Sequence, residues 1–432
     1  MARFLFAAFP VSGHVNPGLP IARELVARGH DVRWYSTQRF RRAIEAAGAR
    51  WIPFRAATSI DEEWLPEQYP GRPSGGIAQL QFDIEHIFVN IIPGALLDLE
   101  HELAKEPADV LVSDNAFAPA GIINERKDTP WAVYGINPLS IPSRDTAPFG
   151  LALMPSATKL GRLRNRALYW LVDNVIFRKA RNRYQEIRRE LGMPHAGRSI
   201  FGFTRKSDLY LQGSVPSFEY PRTDMPHQVR FIGAAIPPAP LGWQQPPWWR
   251  ELDAPPPVVL VTQGTINNDY DQLIRPAIRA LANEHVQVVV TTGSRPPQDV
   301  GIDPLPPNVR VERFVPYGHL MPKVDLLLTN GGYGSVQIAL AHGVPVVAIG
   351  KTEDKAEIAN RVEWSGVGIG LKVLTPTEKQ IRDAVRRVIT TPTYAARAEA
   401  MRYEMAGLDA GTTGAELLEE LAGDRNELAQ SA

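Results

Sequence analysis

One pattern occurs twice along the chain: a short apolar run, a turn, then apolar residues at helical spacing. Arg3–Phe9 reads as a buried strand, and Ile21, Ala22, Leu25 and Val26 fall on one face of a following helix, with Asn16 as N-cap and Pro17 at its first position. Asp31–Ser36, Asp109–Ser113 and Trp131–Gly135 read as further strands, Phe40–Ala47 as a helix, and Lys159–Leu191 as one long helix. Strands alternating with helices predict a mostly parallel sheet covered on both faces. From Pro237 a run rich in proline and tryptophan resists both helix and central strand. A second series then begins, with strands at Val258–Thr262, Val286–Thr291, Val309–Phe314, Asp325–Thr329 and Pro345–Ile349. Its helices lie near Tyr270–Ala282, Ser335–His342 and Asp354–Ser365. The expected fold class is α/β, two doubly wound Rossmann-like domains facing across a cleft. The expected divisions are 1–236, a linker 237–257, a second domain 258–393, and C-terminal helices 394–432 packing back toward the first domain. Such sheets bind ligands beyond the carboxyl ends of their strands, which places the expected site in the cleft.

Charge and cysteine content narrow the chemistry. The 47 basic and 47 acidic side chains cancel, so the electrostatic footprint of a nucleic-acid binder is missing and no nucleic-acid partner is expected. With no cysteine, disulfides, thiolate nucleophiles and Cys-based metal sites are excluded, and the balance leans toward a cytoplasmic protein. The apolar start after Arg3 is read as the first strand, not as a leader, and no uninterrupted apolar run approaches the roughly 20 residues that cross a bilayer. Residues 159–191 hold ten Lys/Arg against three acids, which suits a solvated helix face or an anionic membrane surface. The solvated face is the expectation, and membrane association is not expected.

The most specific signal is Thr329-Asn330-Gly331-Gly332-Tyr333-Gly334-Ser335-Val336-Gln337, between a predicted strand and a predicted helix. Glycines allow close backbone approach, and the free N–H groups at a helix start suit a phosphate or pyrophosphate. It is neither a Walker loop nor a dinucleotide fingerprint. This segment, followed by Ala339-Leu340-Ala341-His342-Gly343-Val344-Pro345, Asp354-Lys355 and Arg361-Val362, resembles the donor signature of family 1 glycosyltransferases of the GT-B fold. Gly13-His14 after the first strand resembles the same family's opening element, so the resemblance spans nearly the whole chain.

The resemblance implies an inverting, metal-independent O-glycosyltransferase that moves a hexose from a UDP- or dTDP-sugar to a lipophilic acceptor of natural-product, phenolic or polyketide type. The nucleotide sugar is a co-substrate; no cofactor and no metal are implied. His14 matches the general base and Asp114 its acidic partner. A neutral imidazole can take a hydroxyl proton while a carboxylate on its other nitrogen fixes the tautomer. On the donor side the matching positions are Gly13, Thr265, Phe314, Val315, Asn330, Gly332, Tyr333, Gly334, Ser335, Gln337, Asp354 and Lys355. Phe314 is either a nucleobase platform or a core residue. Phe82, Phe88 and Phe149, in segments read as loops at 82–92 and 140–154, are candidate acceptor contacts or core. Three positions depart from the family pattern. Asn330 stands where a histidine usually meets the diphosphate, Ile338 where a glutamate usually holds the ribose, with Gln337 beside it as a substitute, and Lys355 where glutamine is usual. Asn330 and Ile338 keep a second reading open: a degenerate GT-B protein that binds a ligand or activates a transferase without catalysis. Asp269-Tyr270-Asp271 spells a metal-binding D-x-D, but its place at a predicted helix start favours capping.

Overall fold

The computed structural model describes residues 1–60, 65–73, 76–196, 201–237, 239, 242–264, 269–293, 295–351 and 354–431. Two parallel sheets organise the chain. The first runs β3-β2-β1-β4-β5-β6-β7, where β1 is Arg3–Ala7, β2 Asp31–Ser36, β3 Arg50–Pro53, β4 Val110–Asp114, β5 Trp131–Gly135, β6 Leu209–Gln212 and β7 Val229–Phe231. The second runs β10-β9-β8-β11-β12-β13, with β8 Val258–Thr262, β9 Gln287–Thr291, β10 Val309–Glu312, β11 Leu326–Thr329, β12 Val346–Ile349 and β13 Gly368–Leu371. Every residue of β4, β5, β8 and β11 is buried, as expected of parallel strands with helices on both faces. In each sheet the strand order reverses once, between β1 and β4 and between β8 and β11. At these switch points the connecting helices leave toward opposite faces and open a crevice.

Several local expectations change. The first helix begins at Ser12, not after Asn16: Ser12–Val15 is one α-helical turn, Asn16–Gly18 a tighter 3₁₀ turn, and Leu19–Ala27 the main helix. Asn16 therefore lies inside a continuous helical path, and Pro17 lies in its tighter turn. The long helix over 159–191 is two helices, Lys159–Leu171 and Arg178–Glu190, joined by a wide π turn at Val172–Ile176. The segment 82–92 is helical, within a run from Gly76 to Lys105. By length and composition that run could cross a bilayer, yet Ile84, Ile87, Ile92, Leu96, Leu99 and Leu103 bury one face of it in the core. Within the proline-rich segment, Pro247–Asp253 forms a 3₁₀ helix whose Trp249 and Leu252 pack into the core around the second sheet.

The C-terminal Ala410–Ser431 helix lies on the Leu19–Ala27 helix of the first domain, where Arg28 pairs with Glu419 at 2.9 Å and with Glu416 at 3.3 Å. The two units also meet through a buried ionic cluster. Glu219, just after β6, accepts from Arg361 Nε at 3.0 Å and from the Tyr333 hydroxyl at 3.1 Å. Arg361 Nη1 also donates to Glu357 at 3.0 Å, and Glu357 accepts the N–H groups of Gly150 at 3.0 Å and Ala152 at 2.8 Å. Burial works to lower the Arg361 pKa, but the facing carboxylates of Glu219 and Glu357 outweigh it and hold the guanidinium above its ordinary value. Removing one member of such a cluster leaves an uncompensated buried charge. Glu219→Ala or Arg361→Ala should each destabilise the protein by about 3–5 kcal/mol in urea unfolding, with the double variant costing less than the sum. Additive losses would show that the pair is not coupled.

Candidate active site

The first wall of the site forms at the β1/β4 switch point. Ala7 of β1 pairs with Ser113 of β4, so the segments leaving these strands emerge side by side. One carries His14 in the Ser12–Val15 turn; the other begins at Asp114, the last residue of β4. His14 Nδ1 lies 3.0 Å from Asp114 Oδ1, although 100 residues separate them. Asp114 is fully buried and also accepts the N–H groups of Phe9 at 2.6 Å and Ala116 at 2.7 Å. A carboxylate that two N–H groups already donate to is an acceptor toward the ring as well. His14 therefore donates from Nδ1, which in the neutral ring leaves Nε2 as the nitrogen with a lone pair. The ring sits 5.5 Å from Phe9 and 6.1 Å from Phe88, which stack on each other at 4.2 Å. The Tyr134 hydroxyl donates to the His14 carbonyl at 2.8 Å; burial, aided by the Asp114 charge, pushes that phenol pKa well up and keeps it a donor.

The second wall forms at the β8/β11 switch point, where Thr262 pairs with Thr329. The Tyr333–Ala341 helix follows β11 with Gly332 as N-cap and no side-chain cap, so its first-turn N–H groups have no helical partner. Gly331 has φ of 84°, and a Cβ there would lie 3.3 Å from the Lys355 carbonyl oxygen. Only glycine fits that turn without strain. The Asn330 amide donates to the Gln263 carbonyl, tying the two strand-end loops together. Phe314 is 55% exposed, which removes it from the core, while Val315 beside it is buried. Tyr317 donates to Thr262 Oγ1 at 2.8 Å. The Tyr333 side chain turns away from its own helix start into the ionic cluster, bonding Gln212 at 2.6 Å and Glu219. Gln337 is 2% exposed, and neither atom of its amide has a hydrogen-bond partner among the described residues. Thr265 lies outside the described residues.

A cavity of about 910 Å³ joins the two walls. Gly13 and His14 line one side, and Phe314, Val315, Asn330, Gly332, Tyr333, Gly334, Ser335, Gln337, Asp354 and Lys355 line the other. Near His14 it has an apolar chamber bounded by Phe88, Ile84, Ile87 and Phe177, and Phe149 lines the same cavity. Phe82 is not among the lining residues; it packs against Tyr69 at 6.0 Å and His86 at 4.4 Å. Phe9, Phe177 and Tyr184 line the chamber too, and sequence reasoning did not single them out. Their apolar type reads as core, and the π turn at Val172–Ile176 that precedes Phe177 has no proline or glycine to mark it. Among the described residues no group of three or more His, Asp or Glu side chains is clustered to hold a metal ion. Asp269 accepts the Asp271 N–H at 3.1 Å, and Asp271 pairs with Arg275 at 2.7 Å, so these acids serve the turn into the Ile274–Leu281 helix.

Residues 277–421 match the model of the erythromycin biosynthesis protein CIII-like C-terminal domain. The chain is 46% identical to 4'-demethylrebeccamycin synthase of Lentzea aerocolonigenes, over 97% of this chain and 99% of that protein. It belongs to the family 1 glycosyltransferases of the GT-B fold. Another relative, UDP-glycosyltransferase 2 of Phaeomoniella chlamydospora, is 32% identical over 97% of this chain and 95% of its own length. The fold is also that of CalG4, the calicheamicin glycosyltransferase, with a TM-score of 0.73, 23% identity, and coverage of 98% of each chain. In this glycosyltransferase the Nδ1–H tautomer of His14 follows from the Asp114 contact alone. Asp114→Ala removes the acceptor that holds the Nδ1 proton and should let the ring exchange between its two neutral tautomers, read from ¹⁵N shifts of the His14 ring. An unchanged tautomer would mean that Asp114 does not set it.

Proposed function

We propose that this glycosyltransferase is an inverting O-glycosyltransferase that moves a hexose from a UDP- or dTDP-sugar to a hydroxyl of a lipophilic small molecule. The observation that carries this reading is that the His14–Asp114 pair and an uncapped, glycine-rich helix start open into one cavity. The acceptor lies in the apolar chamber with its hydroxyl at His14 Nε2. As that nitrogen takes the proton, the acceptor oxygen attacks the anomeric carbon from the face opposite the diphosphate. The carbon–oxygen bond to the diphosphate breaks with its electron pair leaving on the phosphate, and the anomeric configuration inverts. Asp114 holds the ring and stabilises the imidazolium. The N–H groups of Gly334 and Ser335, with the positive end of the helix dipole, receive the developing charge. Lys355 adds a cation at the same wall, and Asp354 takes sugar hydroxyls. Phe314, held out of the core, stacks on the nucleobase.

Two relatives lend support to the donor class: the Phaeomoniella protein is named a UDP-glycosyltransferase, and a structural neighbour, the Streptomyces glycosyltransferase SsfS6, was solved with thymidine diphosphate. The names of 4'-demethylrebeccamycin synthase and the calicheamicin glycosyltransferase support a natural-product acceptor.

Gln337 takes over the ribose hydroxyls, because its buried, unpartnered amide supplies both a donor and an acceptor. An orphaned buried amide costs about 1–3 kcal/mol until a ligand satisfies it. Gln337→Leu should therefore raise the melting temperature of the free protein while shrinking the thermal shift given by UDP or dTDP. No shift with either nucleotide in the wild type would favour the non-catalytic reading. His14→Ala should lower turnover by roughly 10²–10⁴-fold with nucleotide binding retained, and near-normal turnover would remove His14 as the base. Transfer should persist in EDTA; full loss rescued by Mg²⁺ would overturn the metal-independent scheme.

A further inference from the structure

The Lys159–Leu171 helix is amphipathic in the reverse sense. Its inward face is small and polar: Gly161 and Asn165 are buried, Asn165 donates to the Arg144 carbonyl at 3.0 Å, and Arg162 pairs with Asp145 at 2.8 Å. A Cβ on Gly161 would meet Ser156 Oγ at 2.0 Å, so this face is fixed against the 139–158 segment by close contact. The outward face is apolar. Leu160 is 80% exposed, Leu163 64% and Trp170 63%, and the stripe continues through Leu171 to Val175, 56% exposed, in the adjoining π turn. These positions, with Ala167 between them, follow helical spacing and form one ridge. Exposed Lys159, Arg164 and Arg166 flank it, and Arg178 and Lys179 follow.

A ridge of leucine and tryptophan in water forfeits the gain of burial, and contiguous exposed patches mark binding surfaces. We propose that this ridge docks into the headgroup region of an anionic lipid surface. Tryptophan beside leucine with lysine and arginine at the edges is the composition of an interfacial helix. The positive excess is local, because the whole chain is neutral, and it complements anionic headgroups. A second copy of the chain suits the ridge less well, since self-pairing would set two arginine-rich edges against each other. Sequence reasoning took the basic stretch as solvated; the exposed ridge between those cations is what it lacked. The ridge also backs the 139–158 segment, whose Phe149 and Gly150 line the cavity, and Phe177 after the π turn lines the apolar chamber. Docking there would bring a membrane-partitioned acceptor to the chamber, and this consequence alone rests on the proposed function.

The test is co-sedimentation of the intact protein with phosphatidylcholine vesicles and with phosphatidylcholine–phosphatidylglycerol vesicles, with no substrate present. The wild type should bind the anionic vesicles, more weakly as salt rises, and bind phosphatidylcholine alone far less. Leu163→Glu and Trp170→Glu should each weaken binding by about tenfold or more with the circular dichroism spectrum unchanged. Lys159→Glu with Arg166→Glu, which touches no buried group, should abolish the preference for phosphatidylglycerol. Absence of wild-type binding, variants that bind like the wild type, or a dimer in sedimentation equilibrium that Leu163→Glu dissociates without any vesicle binding would each overturn the proposal.

Discussion

A parallel sheet whose winding reverses must leave a gap beside the strand where it reverses, because the two crossover helices depart to opposite faces. This chain does so twice, at β1/β4 and at β8/β11, and both gaps open into one cavity. Everything placed there follows from strand register. Ala7 opposite Ser113 brings His14 and Asp114 together across a long stretch of sequence, and Thr262 opposite Thr329 brings the Gln263 carbonyl to Asn330. Neither pair is local; each exists because a core of buried strands fixes where the loops begin.

Buried carboxylates then convert scaffold into site. Asp114 is held by two backbone N–H groups before it meets His14, so the ring is oriented by a group that has little freedom to move. Glu219 plays the corresponding part between the domains: its bonds to Arg361 and Tyr333 fix two helices of the second domain against the end of β6, while Glu357 fixes the Gly150 and Ala152 backbone, of which Gly150 lines the cavity. Tyr333 lies in the glycine-rich signature, yet its side chain serves this interface. The proposed donor site and the domain contact thus share one helix, so nucleotide affinity and domain packing are expected to respond together.

Much of the fold was legible because parallel strands buried on both faces are near-continuous apolar runs. Asp31–Ser36, Trp131–Gly135 and Val258–Thr262 appear in the structure with the bounds that the sequence suggests. The short strands β3, β6, β7 and β13 were not legible, since runs of three or four residues such as Gly368–Leu371 carry no pattern of their own. Helix starts slipped where the start signal misled: Asn16-Pro17 reads as a cap, but the chain already turns at Ser12 with no capping side chain. In the site, the glycines suggested an anion site by residue type, whereas the His14–Asp114 pair was legible only through the family resemblance. Sequence reasoning named Gln337 only as a neighbour of Ile338 and left Phe314 between platform and core; that Gln337 is buried without a partner among the described residues and that Phe314 is exposed are properties of packing, which the sequence does not display.

The claim that connects these features is that His14 removes the acceptor proton as the sugar leaves the opposite wall. It is tested most directly by measuring kcat/KM against hydroxyl acidity over a series of acceptors, in the wild type and in His14→Ala. If His14 is the base, the variant should depend far more steeply on acidity, its deficit large for alcohols and small for acidic phenols that need little help to lose a proton. A constant ratio between the two enzymes across the series would contradict the account and leave His14 with a role in binding alone.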